Sequence, residues 1–188
     1  MDVTIREAKV TDAEAIAEIG KVAWLAAYTD PATGITSKDV LSRNFDSPER
    51  IQKLKERLHK DNEEHSSGGR TWVAEVPSTG GGQAAGNVIG FVTALRIAGN
   101  ELKAIYILPS YQDHGAGHKL METALAWFTQ SGVEGLGSGE VHANVGGKDG
   151  RTKEFFREFG FAETGEKKTV SFATGKTMEA VVMRRAAA

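Results

Sequence analysis

Residues 101–128, ELKAIYILPSYQDHGAGHKLMETALAWF, change hydrophobic period within one short loop. Up to Leu108 the apolar residues suit a buried strand. From 117 to 130, Leu120, Ala124, Leu125 and Phe128 keep the spacing of one helix face. A strand that feeds straight into a long helix cannot return as a hairpin, so the helix acts as a crossover and allows a parallel pairing with the next run, 140–145. The loop between holds Gln112, Asp113, His114, Gly115, Ala116 and Gly117. Its glycines allow positive φ and close approach of a ligand to the main chain. The first N–H groups of the helix lack intrahelical acceptors and lie at its positive end. Such a place suits a phosphate or pyrophosphate. No Gly-Lys-Ser/Thr makes it a P-loop, and Leu120 stands where a dinucleotide fingerprint needs its third glycine.

The rest of the chain supplies the frame for this segment. Val3 and Ile5 alternate as a short strand. Thr11 with Glu14 reads as a capping box, opening a helix that runs to Tyr28. Asp30-Pro31 and Gly34 break it. Ser37 is expected to cap a short second helix, and Ser47-Pro48 to open a third with Ile51, Leu54 and Leu58 on one face. Three β-type runs follow at 71–76, 87–97 and 101–108. Gly99-Asn100 reads as a turn, and Pro109 ends the third run. The Gly-rich stretches 78–86 and 132–139 read as loops. A short helix at 152–159 and paired strands at 161–172 and 177–184 close the chain. The expectation is a mixed α/β fold with a mainly antiparallel sheet flanked by helices, formed by 1–185 as one domain, with 186–188 as an added tail.

Composition removes several function classes. The chain has no cysteine, which excludes disulfides, thiolate metal sites and a cysteine nucleophile. Its net charge of -2 argues against a bulk nucleic-acid binder. No apolar run is long enough to span a bilayer, and the start Met1-Asp2-Val3-Thr4 has no signal-peptide pattern. A cytoplasmic protein without a membrane or nucleic-acid partner is expected. His114 and His118 stand four apart, but glycines lie between them and no third ligand is near, so no metal is expected. No Gly-x-Ser-x-Gly elbow supports a serine hydrolase.

The residues from Gln112 to Gly117 match Gln/Arg-x-x-Gly-x-Gly/Ala, and residues 154–161, EFFREFGF, resemble Phe-Tyr-x-x-x-Gly-Phe. Both are motifs of the Gcn5-related N-acetyltransferase (GNAT) superfamily, which the chain resembles along nearly its whole length. The Trp24–Tyr28 pair and the closing strands look like its PaiA-like branch, acting on polyamines and amino compounds. The resemblance implies an acyl-CoA-dependent N-acetyltransferase whose fourth and fifth strands splay apart. Acetyl-CoA would be the co-substrate. Main-chain groups of Ile105, Tyr106 and Ile107 would pair with pantetheine. Gln112, Asp113, His114, Gly115, Ala116, Gly117, His118 and Lys119 would surround the pyrophosphate, with Asp149 and Phe156 nearby.

A lysine-like amine has a pKa of about 10.4, so roughly one molecule in a few thousand is neutral at pH 7. A carboxylate would aid its deprotonation. Glu101 ranks first for this, with Tyr28 and Tyr106 as further catalytic candidates lining the amine site. Phe156 replaces the tyrosine that many family members use to protonate the leaving thiolate. The expected acceptor is a small primary amine, polyamine or amino-acid-like. Protein or peptide acetylation and non-catalytic acyl-CoA binding are the alternatives, and a homodimer stays open.

Overall fold

The computed structural model describes residues 2–63, 68–77, 87–97, 99–129, 139–146 and 150–186. The loop at 78–86, most of that at 132–139, and Asp149 lie outside the described residues. Strand β1 (Thr4–Glu7) leads through a 3-10 turn into α1 (Ala13–Tyr28), α2 (Ser37–Leu41) and α3 (Pro48–Glu63). A meander of β2 (Gly69–Val76), β3 (Asn87–Leu95) and β4 (Asn100–Ile107) follows. Then come α4 (Ala116–Thr129), β5 (Val141–Val145), α5 (Arg151–Glu158), β6 (Ala162–Ser171) and β7 (Thr177–Arg185).

Among the described residues the strands form one sheet of seven, ordered β1-β2-β3-β4-β5-β7-β6. Every pairing is antiparallel except β4 with β5, the pair joined through α4. The mixed fold expected from the periodicities is therefore present. One face of the sheet carries α4, whose Leu120, Met121, Ala124 and Phe128 pack on Trp72, Val92, Leu102 and Val141. The other face carries α1 and α3, through Ile16, Ile19 and Leu58 against Val73 and Phe91.

Three local expectations need correction. Thr11 does not cap α1: it lies inside the 3-10 turn, and Asp12 accepts the Lys9 amide at 2.7 Å while also binding Arg6. Glu14, the expected partner of Thr11, instead pairs with Lys55 at 2.6 Å. For α2 the cap is Thr36 rather than Ser37, with Asp39 accepting the Thr36 amide at 2.8 Å in a reciprocal box. Asn100 is not a turn residue. It opens β4, is buried, and donates to the Gly139 carbonyl at 3.0 Å.

Strand β4 carries an extra residue. Thr93 faces Ala104 while Ala94 faces Leu102, which leaves Lys103 unpaired in a β-bulge. A bulge bends its strand and increases the local twist. The pairing of β4 with β5 stops at that point, at Leu102 opposite Ala143, although β4 continues to Ile107 and β5 to Val145. The two strands part there. Beyond the bulge β4 stays against β3, and Gly90 faces Ile107.

Close packing at Gly90 depends on its missing side chain. A Cβ there would stand 2.3 Å from Ile107 Cδ1 and 2.8 Å from the Tyr106 carbonyl oxygen. The Gly90→Ala protein is expected to lose about 1–3 kcal/mol through overpacking, with the displacement falling on β4 at Tyr106 and Ile107. Chemical denaturation measures the loss, and a crystal structure of the variant locates the shift.

Candidate active site

The parting strands leave an open cleft. Its walls include Leu102 to Tyr106 of β4, Asn144 and Val145 of β5, Gly146, Thr152 and Phe156 of α5, and Tyr28 of α1. Main-chain groups of β4 that point toward β5 have no strand partner beyond Leu102. An extended chain bearing amides can pair with such an edge. Side chains alternate across β4: Ile105 and Ile107 pack toward α4, whereas Ala104 and Tyr106 pack toward α1. Ile105 and Tyr106 thus border the cleft. Ile107 lies at the strand end, and its carbonyl accepts from Gln112 Nε2 at 3.3 Å.

At that strand end the loop turns through two residues with positive φ, Asp113 at 63° and Gly115 at 81°. His114 Nδ1 lies 2.6 Å from the Gln112 carbonyl oxygen, closing the turn. Helix α4 then starts at Ala116, with its first amides at Ala116, Gly117 and His118. The Cβ that Gly117 lacks would sit 3.6 Å from the Phe155 ring and 3.9 Å from Ile107 Cγ1, in the space between the strand end and α5. Bare main chain at a helix start, beside an unpaired strand edge, fits a pyrophosphate joined to an amide-bearing arm. The Lys119 ammonium donates to the Val3 carbonyl at 2.9 Å. The His118 ring is 3.0 Å from Glu158 and packs edge-on against Phe155.

The three catalytic candidates lie at different places. Tyr28 and Tyr106 share one wall. The Trp24 indole donates to the Tyr106 hydroxyl at 2.8 Å, and the Trp24 and Tyr28 rings are 4.5 Å apart. Burial pushes both phenols above their ordinary range, so they stay protonated at neutral pH and serve as hydrogen-bonding groups rather than bases. Glu101 sits one residue before the parting point. Its carboxylate accepts from Asn144 Nδ2 at 3.4 Å, which links it to the cleft wall, and Lys103 Nζ lies 3.4 Å away. Phe156 lines the cleft and is buried, with its ring edge-on to Phe155 and Phe161.

Two residues, one lining the cleft and one behind its α1 wall, escaped the reading of the sequence. Gly146 had no motif to mark it, yet a Cβ there would stand 2.9 Å from Tyr28 Cε1. Arg43 follows α2, and its guanidinium carbon lies 4.3 Å from the Trp24 ring centroid. Its Nε is buried and has no hydrogen-bond partner among the described residues. Among those same residues no cluster of three or more His, Asp or Glu is placed to hold a metal ion.

The α1–α2 side of the cleft is held by the β6–β7 hairpin. Asp39 accepts from Thr174 Oγ1 at 2.6 Å and from Thr36 Oγ1 at 2.6 Å, and Lys176 lies 3.4 Å away. Beside this pin Phe172 and Met178 pack with Ile35, Val40, Phe45, Trp24 and Tyr28.

Comparison with known proteins agrees with this geometry. The acetyltransferase (GNAT) domain family matches residues 67–163, from β2 into β6. The chain belongs to the GNAT family and is an acyl-CoA-dependent N-acetyltransferase. Its fold is shared with the PaiA N-acetyltransferase from Thermoplasma acidophilum in complex with coenzyme A, at 19% identity, 99% coverage of both chains and a TM-score of 0.73. A GNAT-family acetyltransferase from Streptococcus pneumoniae is similar at 21% identity, with 98% of this chain and 99% of that chain covered and a TM-score of 0.68. A phosphinothricin acetyltransferase from Sinorhizobium meliloti in complex with AcCoA is similar at 20% identity, with 100% of this chain and 89% of that one covered and a TM-score of 0.64. Among curated proteins none matches.

Two expected outcomes follow from this site. Hydrogen bonds from Thr174 and Thr36 hold the Asp39 carboxyl well below the usual range. Its contribution to stability is therefore complete above the unfolded value of about 3.9 and is lost as pH falls below that toward the folded value. Asp39→Asn should lower the melting temperature by a constant amount at neutral pH, and this difference should shrink below about pH 4, as thermal melts across pH will record. Phe156→Tyr should keep the fold and raise turnover or leave it unchanged, with any gain greatest at low pH, where a phenol that protonates the departing thiolate helps most. An unpartnered buried hydroxyl would cost about 1–3 kcal/mol, so a large loss of melting temperature with unaltered CoA affinity would place this ring away from the sulfur.

Proposed function

We propose that the protein moves an acetyl group from acetyl-CoA to the primary amine of a small molecule, in the cytoplasm, with residues 1–185 acting as one catalytic domain. The observation that carries this reading is the cleft opened where β4 leaves β5, with the start of α4 at one end and the Tyr28–Tyr106 wall at the other. Main-chain groups at Ile105, Tyr106 and Ile107 pair with the pantetheine amides. The loop from Gln112 to Gly117, with the first turn of α4 at His118 and Lys119, receives the pyrophosphate. Acetyl-CoA supplies the activated acyl group as a thioester.

The protein's own residues then have three tasks. They strip a proton from the incoming ammonium, hold the amine in line with the acyl carbon, and stabilise negative charge on the thioester oxygen. Glu101 serves the first through its link to Asn144, by way of water, because its carboxylate lies just before the parting point rather than on the cleft wall. Tyr28 and Tyr106 serve the second as neutral hydroxyls. An amide of β4 at Ile107 serves the third, where a fixed donor is worth most in a site shielded from water. Phe156 offers no proton. A thiol with a pKa of about 8.5 leaves as thiolate without help, which makes acid catalysis dispensable here.

Small acceptors are favoured over peptides because the β6–β7 hairpin is pinned across the α1–α2 side through Asp39 and Phe172, closing one direction in which an extended chain would run. The phosphinothricin acetyltransferase among the structural neighbours is named for a small amine, in keeping with this reading.

Acetyl-CoA at about a hundredfold excess over its dissociation constant should stabilise the protein by about 2.7 kcal/mol, read as a rise in melting temperature. A panel of primary amines should then release free thiol from acetyl-CoA. Stabilisation without thiol release by any amine would leave a binding protein, and no stabilisation at millimolar acetyl-CoA would remove the reading altogether.

A further inference from the structure

The α1 side of the cleft carries a cation that no carboxylate of the described residues neutralises. Arg43 has its guanidinium carbon over the Trp24 ring, 4.3 Å from the centroid, and lies near enough to Tyr28 and Tyr106 to interact with them electrostatically. A second cation, Arg50, donates to the Arg43 carbonyl and acts on its charge, with its own guanidinium carbon 5.2 Å from the Phe45 centroid. The two acids closest in sequence are engaged elsewhere. Asp39 is bound by Thr36, Thr174 and Lys176, and Asp46 by Lys21 at 2.8 Å. The buried Nε of Arg43 has no hydrogen-bond partner among the described residues.

A half-buried guanidinium usually meets a carboxylate or a carbonyl, since an unmade bond to a buried charged group is costly. Cation–π attraction holds the guanidinium over Trp24, and a guanidinium's planar set of N–H donors matches a carboxylate or another planar oxyanion. Trp24, Tyr28 and Tyr106 connect the guanidinium to the cleft wall by ring contact and hydrogen bond. Trp24 and Arg43 thus extend the Tyr28–Tyr106 wall beyond the residues that line the cleft itself.

We infer that Arg43 is the specificity residue for the acceptor, and that the acceptor is a small amine carrying an oxyanion, such as an amino acid, rather than a polyamine. A polyamine would bring further positive charge against Arg43 and Arg50. This inference rests on the proposed acetyl transfer and narrows its substrate class.

The test compares matched amines in the full-length protein with acetyl-CoA saturating. One arm holds amino acids with the amine and carboxylate close or separated by a few carbons, a second the same skeletons lacking the carboxylate, and a third putrescine and spermidine. The wild type should favour the carboxylate-bearing member of a pair by roughly ten- to hundredfold in kcat/KM, chiefly through KM. Arg43→Met should bring that ratio toward one. Arg43→Lys should restore part of it, since the charge returns without the fork. The melting temperature and acetyl-CoA affinity of each variant separate a lost anchor from a lost wall. Equal use of both members by the wild type, or preference for polyamines, overturns the inference and leaves acetyl transfer standing. So does an Arg43→Met protein that loses all amines in proportion together with its melting temperature. Failure of every amine to release thiol overturns the proposed function and this inference with it.

Discussion

Everything at the site depends on β4 ceasing to pair with β5 after Leu102. A sheet satisfies its backbone by pairing, and an unpaired edge inside a domain leaves amides and carbonyls without partners. Here the extra residue Lys103 bends β4 away while β3 holds it to Ile107. Strand β5 meanwhile follows β7 through Val145. The cleft is thus a defect in an otherwise continuous sheet, and its orphan backbone is suited to recognising an amide-bearing ligand. Gly90 makes the geometry sterically possible, because any Cβ there would collide with Ile107 and the Tyr106 carbonyl of β4.

The two sides of this cleft differ in chemistry. Toward α4 and α5 lie bare amides, glycine and the rings of Phe155 and Phe156. Toward α1 lie an indole, two phenols and a guanidinium, bonded or stacked in sequence. The first side suits a phosphate and its apolar arm. The second suits a polar acceptor approaching from the opposite direction. Burial keeps the phenols protonated, so this wall orients and hydrogen-bonds without acting as a base. The carboxylate of Glu101 is set apart from both, at the closed end of the wedge.

Local regularities were legible in the chain itself. The change of period between Leu108 and Leu120 announced a strand, a turn and a helix, and the helix buries the face that the spacing indicated. The glycine and Asp113 of the loop take positive φ, as a tight passage into a helix requires. Failures occurred where two neighbouring polar residues competed for one role. Thr11 and Asp12, or Thr36 and Ser37, are equivalent on paper. Tertiary partners chose between them: Arg6 draws Asp12 into its position, and Thr174 and Thr36 together hold Asp39.

By itself the sequence determined the order of elements, the antiparallel meander, the crossover helix and the glycine-bearing loop before it, because each rests on contacts within a few residues or on a periodic face. It also determined that Phe156 carries no hydroxyl. Only the tertiary structure decided that β4 would bulge at Lys103, that Gly146 would lie under Tyr28, and that Arg43 would stack on Trp24 beside the cleft. These arrangements join segments far apart in the chain. The hairpin residues Thr174 and Lys176 reach Asp39 across more than half its length. No local pattern encodes such a meeting, since it depends on how the packed sheet and helices orient one another.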